Sequence, residues 1–211
     1  MVNTQAFLQE VAKIAQKAGR DPADIAVVAV SKEVPLSKLH DAYSAGCRYF
    51  AENRLKEALE KQQNMPMDVI WHWIGPLQSN KVKQVVSHFN WIHSVDSLEI
   101  AEKIAKEGRG VNVLLQVNTS GEVSKQGFSP EELRKVFDKI YNLPNIQIEG
   151  LMTMAPFTDD EGVLRKCFSD LRKLKEEFKL KHLSMGMSND YPIAIQEGAT
   201  LLRIGSKLFQ S

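Results

Sequence analysis

The chain switches its hydrophobic period repeatedly, and that alternation predicts its elements. Phe7, Leu8, Val11, Ile14, Ala15 and Ala18 recur at the spacing of one helix face. Gly19 and the Asp21-Pro22 pair end that segment. Ile25 to Val30 is then an unbroken apolar run, as expected of a strand covered on both faces. Pro35 and Leu36 open a second helix with Leu39, Ala42 and Tyr43 inward, and Gly46 closes it.

The same unit repeats along the chain. Cys47 to Phe50 reads as a second strand, followed by a Glu- and Lys-rich helix through Lys61. Val69 to Ile74 is a third strand, with a helix from Ser79 to Val86, and Trp91 to His93 is a short fourth. Asp96 and Glu99 form a capping-box pattern ahead of a helix with Leu98, Ala101, Ile104 and Ala105 on one face. Val111 to Val117 is a clear strand, and Ser129-Pro130-Glu131-Glu132 is a second capping box with proline at the first helical position. Ile146 to Leu151 is the sixth strand, and Val163 to Phe178 carries the apolar stripe of a long helix. His182 to Ser184, a short helix from Asp190 to Gln196, and Leu201 to Ile204 complete the series.

Eight strands with helices between them predict a closed parallel (β/α)8 TIM barrel with one extra N-terminal helix, a single α/β domain over residues 1–211. An open doubly wound sheet seldom needs eight units. No low-complexity tract or Pro/Gly/Ser-rich linker interrupts the alternation.

Composition narrows the function. Of the 211 residues, 43% are hydrophobic and 25% charged, which suits a folded core without disulfide or metal staples. Twenty-seven basic against 26 acidic residues leave a net charge of +1, which argues against nucleic acid as a partner. Two cysteines, Cys47 and Cys167, are too few for a thiolate zinc site and read as small core residues of a reducing compartment. No apolar run reaches membrane-span length and no signal peptide opens the chain, so a cytoplasmic protein with no membrane partner is expected. The five histidines show no metal-ligand spacing and no metal is expected. No Walker loop, dinucleotide fingerprint or nucleophile elbow is present.

Barrel geometry tells where chemistry can sit, because active sites lie at the C-terminal ends of the strands. Lys32 follows the first strand by two residues. It is either a lysine surfacing at a strand end or a Schiff-base lysine with a partly desolvated amine. Ser184 to Asn189 follows the seventh strand and Arg203-Ile204-Gly205-Ser206 spans the end of the eighth, where such barrels commonly build a phosphate site. Gly186 and Gly205 allow close backbone approach, and Ser188 and Ser206 add hydroxyl donors. Closure brings the first strand beside the eighth, so amine and anion site share one pocket. That pocket suits a ligand with a carbonyl at one end and a phosphate at the other. Asn53, after the second strand, reads either as a hydrogen-bond donor to a ring oxygen or as a helix cap. His72 lies on the strand face opposite Trp71 and Trp73 and reads as a packed, hydrogen-bonded side chain. Met152 and Met154 read either as core filler, the usual role of methionines at a strand end, or as the floor of a pocket beneath a flat ligand.

Several blocks, in order, resemble the pyridoxal phosphate homeostasis proteins, also called proline synthetase co-transcribed homologues. They are Ala29-Val30-Ser31-Lys32, Ala51-Glu52-Asn53-Arg54, Trp71 through Lys81, Ile92 through Asp96, Leu151 through Met154, Leu183 through Ser188 and Leu202 through Gly205. The resemblance implies a fold like the N-terminal barrel of alanine racemase and pyridoxal 5'-phosphate (PLP) as cofactor. It implies that Lys32 carries PLP as a Schiff base and that Ser188, Gly205 and Ser206, with backbone amides near Met187, hold the phosphate. Arg203 would then face the pyridine nitrogen, with Asn53 near the cofactor. A permanent positive charge against that nitrogen disfavours ring protonation and weakens the ring as an electron sink. The chain ends soon after the eighth strand, with no room for the second domain that completes an alanine racemase site. The expectation is a non-catalytic PLP carrier of vitamin B6 homeostasis, monomeric, with apo PLP-dependent enzymes as partners. The alternatives are a reduced-size PLP-dependent amino-acid racemase and a Schiff-base aldolase acting on a phosphosugar. Ala51 and Gln210 stand where the family commonly has glycine.

Overall fold

The computed structural model describes residues 4–122 and 125–209. Gln210 lies outside them. Among the described residues, eight parallel strands close into a barrel in chain order, as the alternation predicts. They are β1 (Ala26–Val30), β2 (Tyr49–Glu52), β3 (Ile70–Trp73), β4 (Trp91–Val95), β5 (Val111–Gln116), β6 (Ile146–Met152), β7 (His182–Ser184) and β8 (Leu201–Ile204). Closure is made by β1 against β8, with Val28 opposite Arg203 and Ala29 opposite Ile204.

An N-terminal helix α1 (Thr4–Lys17) precedes the barrel. The helices that cover it are α2 (Leu36–Ser44), α3 (Leu55–Gln62), α4 (Val82–His88), α5 (Leu98–Lys106), α6 (Pro130–Tyr141), α7 (Glu161–Glu177) and α8 (Tyr191–Gln196). A last helical turn, α9 (Ser206–Phe209), follows β8 and has no counterpart in the sequence pattern. The Ser129–Glu132 capping box is present, with both reciprocal hydrogen bonds formed.

Three local expectations are corrected. The second strand starts two residues late, because Cys47 N–H bonds the Ala42 carbonyl and so finishes the α2 terminus. The helix after β4 is capped by Ser97, whose side chain accepts from the Ile100 amide, rather than by Asp96. A 3-10 turn, Ser79–Lys81, takes the first residues of the helix expected to begin at Ser79.

Strand side chains alternate between two environments. Outward residues such as Phe50, Trp71, Trp73, Ile92, Leu151 and Leu202 join Leu133, Phe168 and Leu171 of the helices in one apolar shell. Inward residues Val28, Val30, Ala51, Leu114, Met152 and Leu201 form a second cluster within the barrel, flanked by Tyr49, Ile74 and Trp91. Cys47 and Cys167 are buried in the outer shell, in the core role expected of them. Ala51 is buried inside the barrel opposite His72. Among the described residues no helix is long and apolar enough to cross a membrane.

Candidate functional site

A cavity of about 600 Å³ opens at the C-terminal mouth of the barrel. Its wall includes Lys32 after β1, Asn53 after β2, Ile74 to Pro76 after β3, Met152 at the end of β6 and Met154 to Asp159 beyond it, Met187 to Asp190 after β7, and Arg203, Gly205 and Ser206 from β8 onward. Lys32, Asn53, Met187, Ser188, Arg203, Gly205 and Ser206, expected from the sequence to hold a ligand, therefore all line one cavity. Met152 and Met154 line it too.

Each side chain has a local reason for its place. Lys32 occupies the turn directly beyond the first strand, exposed to the cavity. Asn53 does not cap α3. The cap position is Arg54, which makes no side-chain cap bond. Instead the Asn53 Oδ1 position is buried with no partner among the described residues. The amide can be flipped, so that position can hold an acceptor or a donor. Gly75 holds Asn53 in place by proximity, since a Cβ there would sit 2.8 Å from the Asn53 carbonyl oxygen and 2.9 Å from its Cα. Gly205 lies tight on β1, 3.4 Å from the Val30 carbonyl oxygen at the position a Cβ would take. Gly186 does not line the cavity. Its φ of 93° and its packing on Ala194 and Leu202 explain the glycine there.

Met187 contributes to the wall, but its backbone N–H is engaged with Asp190 Oδ1 at 2.5 Å. Ser188 Oγ accepts from the Lys207 amide at 3.4 Å, a long contact that leaves its hydroxyl able to turn.

Arg203 is the most firmly held group. Its guanidinium donates to Ser184 Oγ at 2.6 Å and to the Thr153 carbonyl at 2.8 Å. Burial lowers its pKa to about 10, with the Asp190 charge opposing the shift, so it stays cationic at neutral pH. Burial in turn raises the Asp190 carboxyl above its ordinary range, while its bond to the Met187 amide and the Arg203 charge draw it back.

Below Arg203 a hydrogen-bonded chain runs into the barrel. Ser184 Oγ contacts His93 Nδ1 at 2.9 Å, and His93 Nε2 contacts His72 Nδ1 at 2.8 Å. Arg203 can only donate, so Ser184 Oγ accepts from it, and one of the two facing histidine nitrogens carries the proton that joins the rings. His72 also stacks on Trp91 at 5.6 Å and meets the edge of Tyr49 at 5.5 Å. This agrees with its reading as a packed side chain. Burial lowers the His72 pKa to about 3, helped by His182, and holds His93 well below its ordinary value. Both rings are neutral at pH 7. The sequence reading missed this chain, because His72, His93 and Ser184 lie on three different strands with no local spacing to connect them.

It also missed a buried ion cluster beside Lys32. Lys61 of α3 bonds Glu52 Oε1 at 2.7 Å and also reaches Glu57 and the Ser31 carbonyl. The i, i+4 spacing of Glu57 and Lys61 was the available signal.

The family description "Alanine racemase, N-terminal domain" matches residues 2–211. The chain is 44% identical over 206 residues to the pyridoxal phosphate homeostasis protein of Pseudomonas aeruginosa, covering 94% of this chain and 90% of that protein. The chain belongs to the pyridoxal phosphate homeostasis protein family. The structure of PipY of Synechococcus elongatus with PLP bound superposes with a TM-score of 0.82 at 38% identity, covering 94% of this chain and 99% of PipY. The alanine racemase of Clostridium difficile shares the barrel alone, with a TM-score of 0.75 at 18% identity over 95% of this chain and 56% of the racemase. Within the pyridoxal phosphate homeostasis family, the barrel mouth of this chain thus presents one amine, one fixed guanidinium and a serine-glycine rim to a common space.

Proposed function

We propose that this protein binds PLP at the barrel mouth through Lys32 and serves PLP homeostasis as a carrier, without strong catalysis of its own. The observation that carries the reading is the convergence of Lys32, Asn53, Ser188, Arg203, Gly205 and Ser206 on one cavity. The names of its relatives, and PLP bound in PipY, point the same way.

The residues fit the group. A flat ring bearing an aldehyde, a hydroxyl and a phosphate needs one amine, one in-plane polar partner and several anion donors. The cavity supplies them, and the unpartnered buried position on Asn53 awaits such a partner. PLP, when bound, supplies an aldehyde that condenses with a primary amine and a phosphate that seeks donors. Lys32 provides the amine. Ser188, Ser206 and the Gly205 backbone hold the anion, and Met187 and Met152 wall the ring. Arg203 is fixed by Ser184 and Thr153 and stays charged, so it would disfavour protonation of a ring nitrogen held against it. This limits the electron withdrawal that amino-acid chemistry needs, and it favours carrying over turnover. We read the carrier as a cytoplasmic monomer that passes PLP to apo PLP-dependent enzymes.

The test is an absorption spectrum with and without added PLP, beside Lys32→Ala, with borohydride reduction and mass mapping. A visible band in the parent, its loss in Lys32→Ala and a reduced adduct on Lys32 are the expected results. No band with excess PLP would end this reading. Conversion of L-alanine to D-alanine at rates ordinary for PLP enzymes would establish the racemase instead.

A further inference from the structure

Lys32 sits in the turn after β1, and Glu33, next to it, has a left-handed backbone with φ 60°. A non-glycine residue keeps that conformation only where its surroundings hold it. Both neighbours of Lys32 are tied to the buried ion cluster. Ser31 Oγ donates to Glu52 Oε1 at 2.7 Å, and the Ser31 carbonyl accepts from Lys61 Nζ. The Glu33 N–H donates to Glu57 Oε1 at 2.6 Å, and that oxygen also accepts from Lys61.

Lys61 therefore joins both sides of the turn. Its ammonium has three protons and three acceptors, namely the Ser31 carbonyl, Glu52 and Glu57. It is only 6% exposed and does not line the cavity. A buried ion pair adds little net stability over an apolar replacement of the same shape, but it does fix direction. The direction fixed here is that of the turn carrying Lys32.

We propose that Lys61, with Glu52 and Glu57, is a positioning residue that holds the Ser31–Glu33 turn so that the Lys32 amine meets an aldehyde in the cavity at attack distance. The proposal rests on Lys32 being the covalent anchor of PLP. In that step the Lys32 nitrogen lone pair forms a C–N bond to the aldehyde carbon. The two amine protons pass to the carbonyl oxygen, the C–O bond breaks, and water leaves.

The experiment uses the full chain in four forms: wild type, Lys61→Met/Glu52→Gln, Glu57→Gln, and Lys103→Met as a remote surface control. The double variant removes both buried charges together, so that neither is stranded. Glu57→Gln alters the outer edge of the cluster and is the variant least disturbing to folding. The first readout is the rate of covalent capture of PLP, stopped with borohydride and read from the mass of the Lys32 peptide. The second is affinity for pyridoxine 5'-phosphate, which has the ring and phosphate but no aldehyde. The third is backbone hydrogen exchange at Glu33 and Val34.

Capture is expected to slow roughly ten- to hundredfold in the double variant and less in Glu57→Gln, from misplacement of the amine. Exchange at Glu33 should rise in step, while pyridoxine 5'-phosphate affinity is unchanged and Lys103→Met matches wild type. Equal capture rates in all four forms, with the label on Lys32, would overturn the clamp and leave the PLP reading standing. Parallel loss of capture and pyridoxine 5'-phosphate affinity would also overturn it, since a clamp acts on the covalent step alone. Absence of label on Lys32 in wild type would instead overturn the anchor reading beneath it.

Discussion

The strands of this barrel have two faces that are stabilised in different ways. Outside, Phe50, Trp71, Ile92 and Leu202 meet helix residues such as Leu133 and Phe168 in a continuous apolar shell. Inside, a small apolar cluster around Val28, Leu114 and Met152 shares the space with His72, His93, Ser184 and Arg203, all buried and hydrogen-bonded. The shell gains stability from area removed from water, which has no direction, so volume-conserving changes are tolerated there. The interior gains little from its polar groups but orients them, and each lost partner exposes a desolvation cost. The shell therefore accounts for most of the stability, and the interior sets which chemistry the mouth can perform.

That contrast can be broken at several points. The largest effect is expected in the shell. Phe168→Ala, at a fully buried position on α7, should cost about 3–5 kcal/mol in urea unfolding. PLP affinity should be unchanged wherever the variant is folded. Loss of affinity at full folding would show that the two regions are not separable.

Acid should act on the interior. His72 and His93 have pKa values lowered by burial, His72 to about 3, whereas the unfolded chain titrates near the ordinary histidine value. As pH falls below about 6.5, the unfolded state takes protons that the folded state refuses, and stability declines by about 1.4 kcal/mol per pH unit for each such ring. The loss continues down to the folded pKa. Asp190, raised by burial, opposes it at the acid end, because the folded state then binds its proton first. Melting temperature should be flat above neutrality and fall below pH 6, and His72→Phe should make that limb shallower. A limb of the same slope in the variant would remove His72 as its source.

Arg203→Met sharpens the comparison, since it keeps bulk and removes direction. The Thr153 carbonyl and Ser184 Oγ lose a donor, at a cost of about 1–3 kcal/mol. If Arg203 faces the ring nitrogen as proposed, the bound-PLP spectrum should also shift when its charge is removed. An unaltered spectrum would place Arg203 away from the ring.

The smallest effect returns to the shell. Ile104→Val, buried on α5, should cost about 0.5–1.5 kcal/mol and leave both spectrum and acid limb unmoved. A change in either would mean that packing outside the barrel is transmitted inward.

The chain's periodicities determined much of this protein by themselves. Residues two apart share a strand face and residues three or four apart share a helix face, and both relations are local to the sequence. Eight units, the N-terminal helix, the opposite orientations of His72 and Trp71, and Lys32 at a strand mouth all follow from them. The Ser129 capping box was legible for the same reason. Where local signals compete, the structure decides. Cys47 could start a strand or finish a helix, and Ser97 stands beside Asp96 as a rival cap.

What only the tertiary structure decided is everything that needs distant strands to meet. Closure of β1 on β8 sets Val28 opposite Arg203 and so brings the amine turn to the serine-glycine rim. The Arg203–Ser184–His93–His72 chain draws on four strands, and the Lys61 cluster joins a helix to a turn across an intervening strand. Hydrogen bonds depend on distance and angle to a few tenths of an ångström. Those distances are fixed by how the strands tilt and close into a barrel, a property of the assembled sheet that no single segment carries.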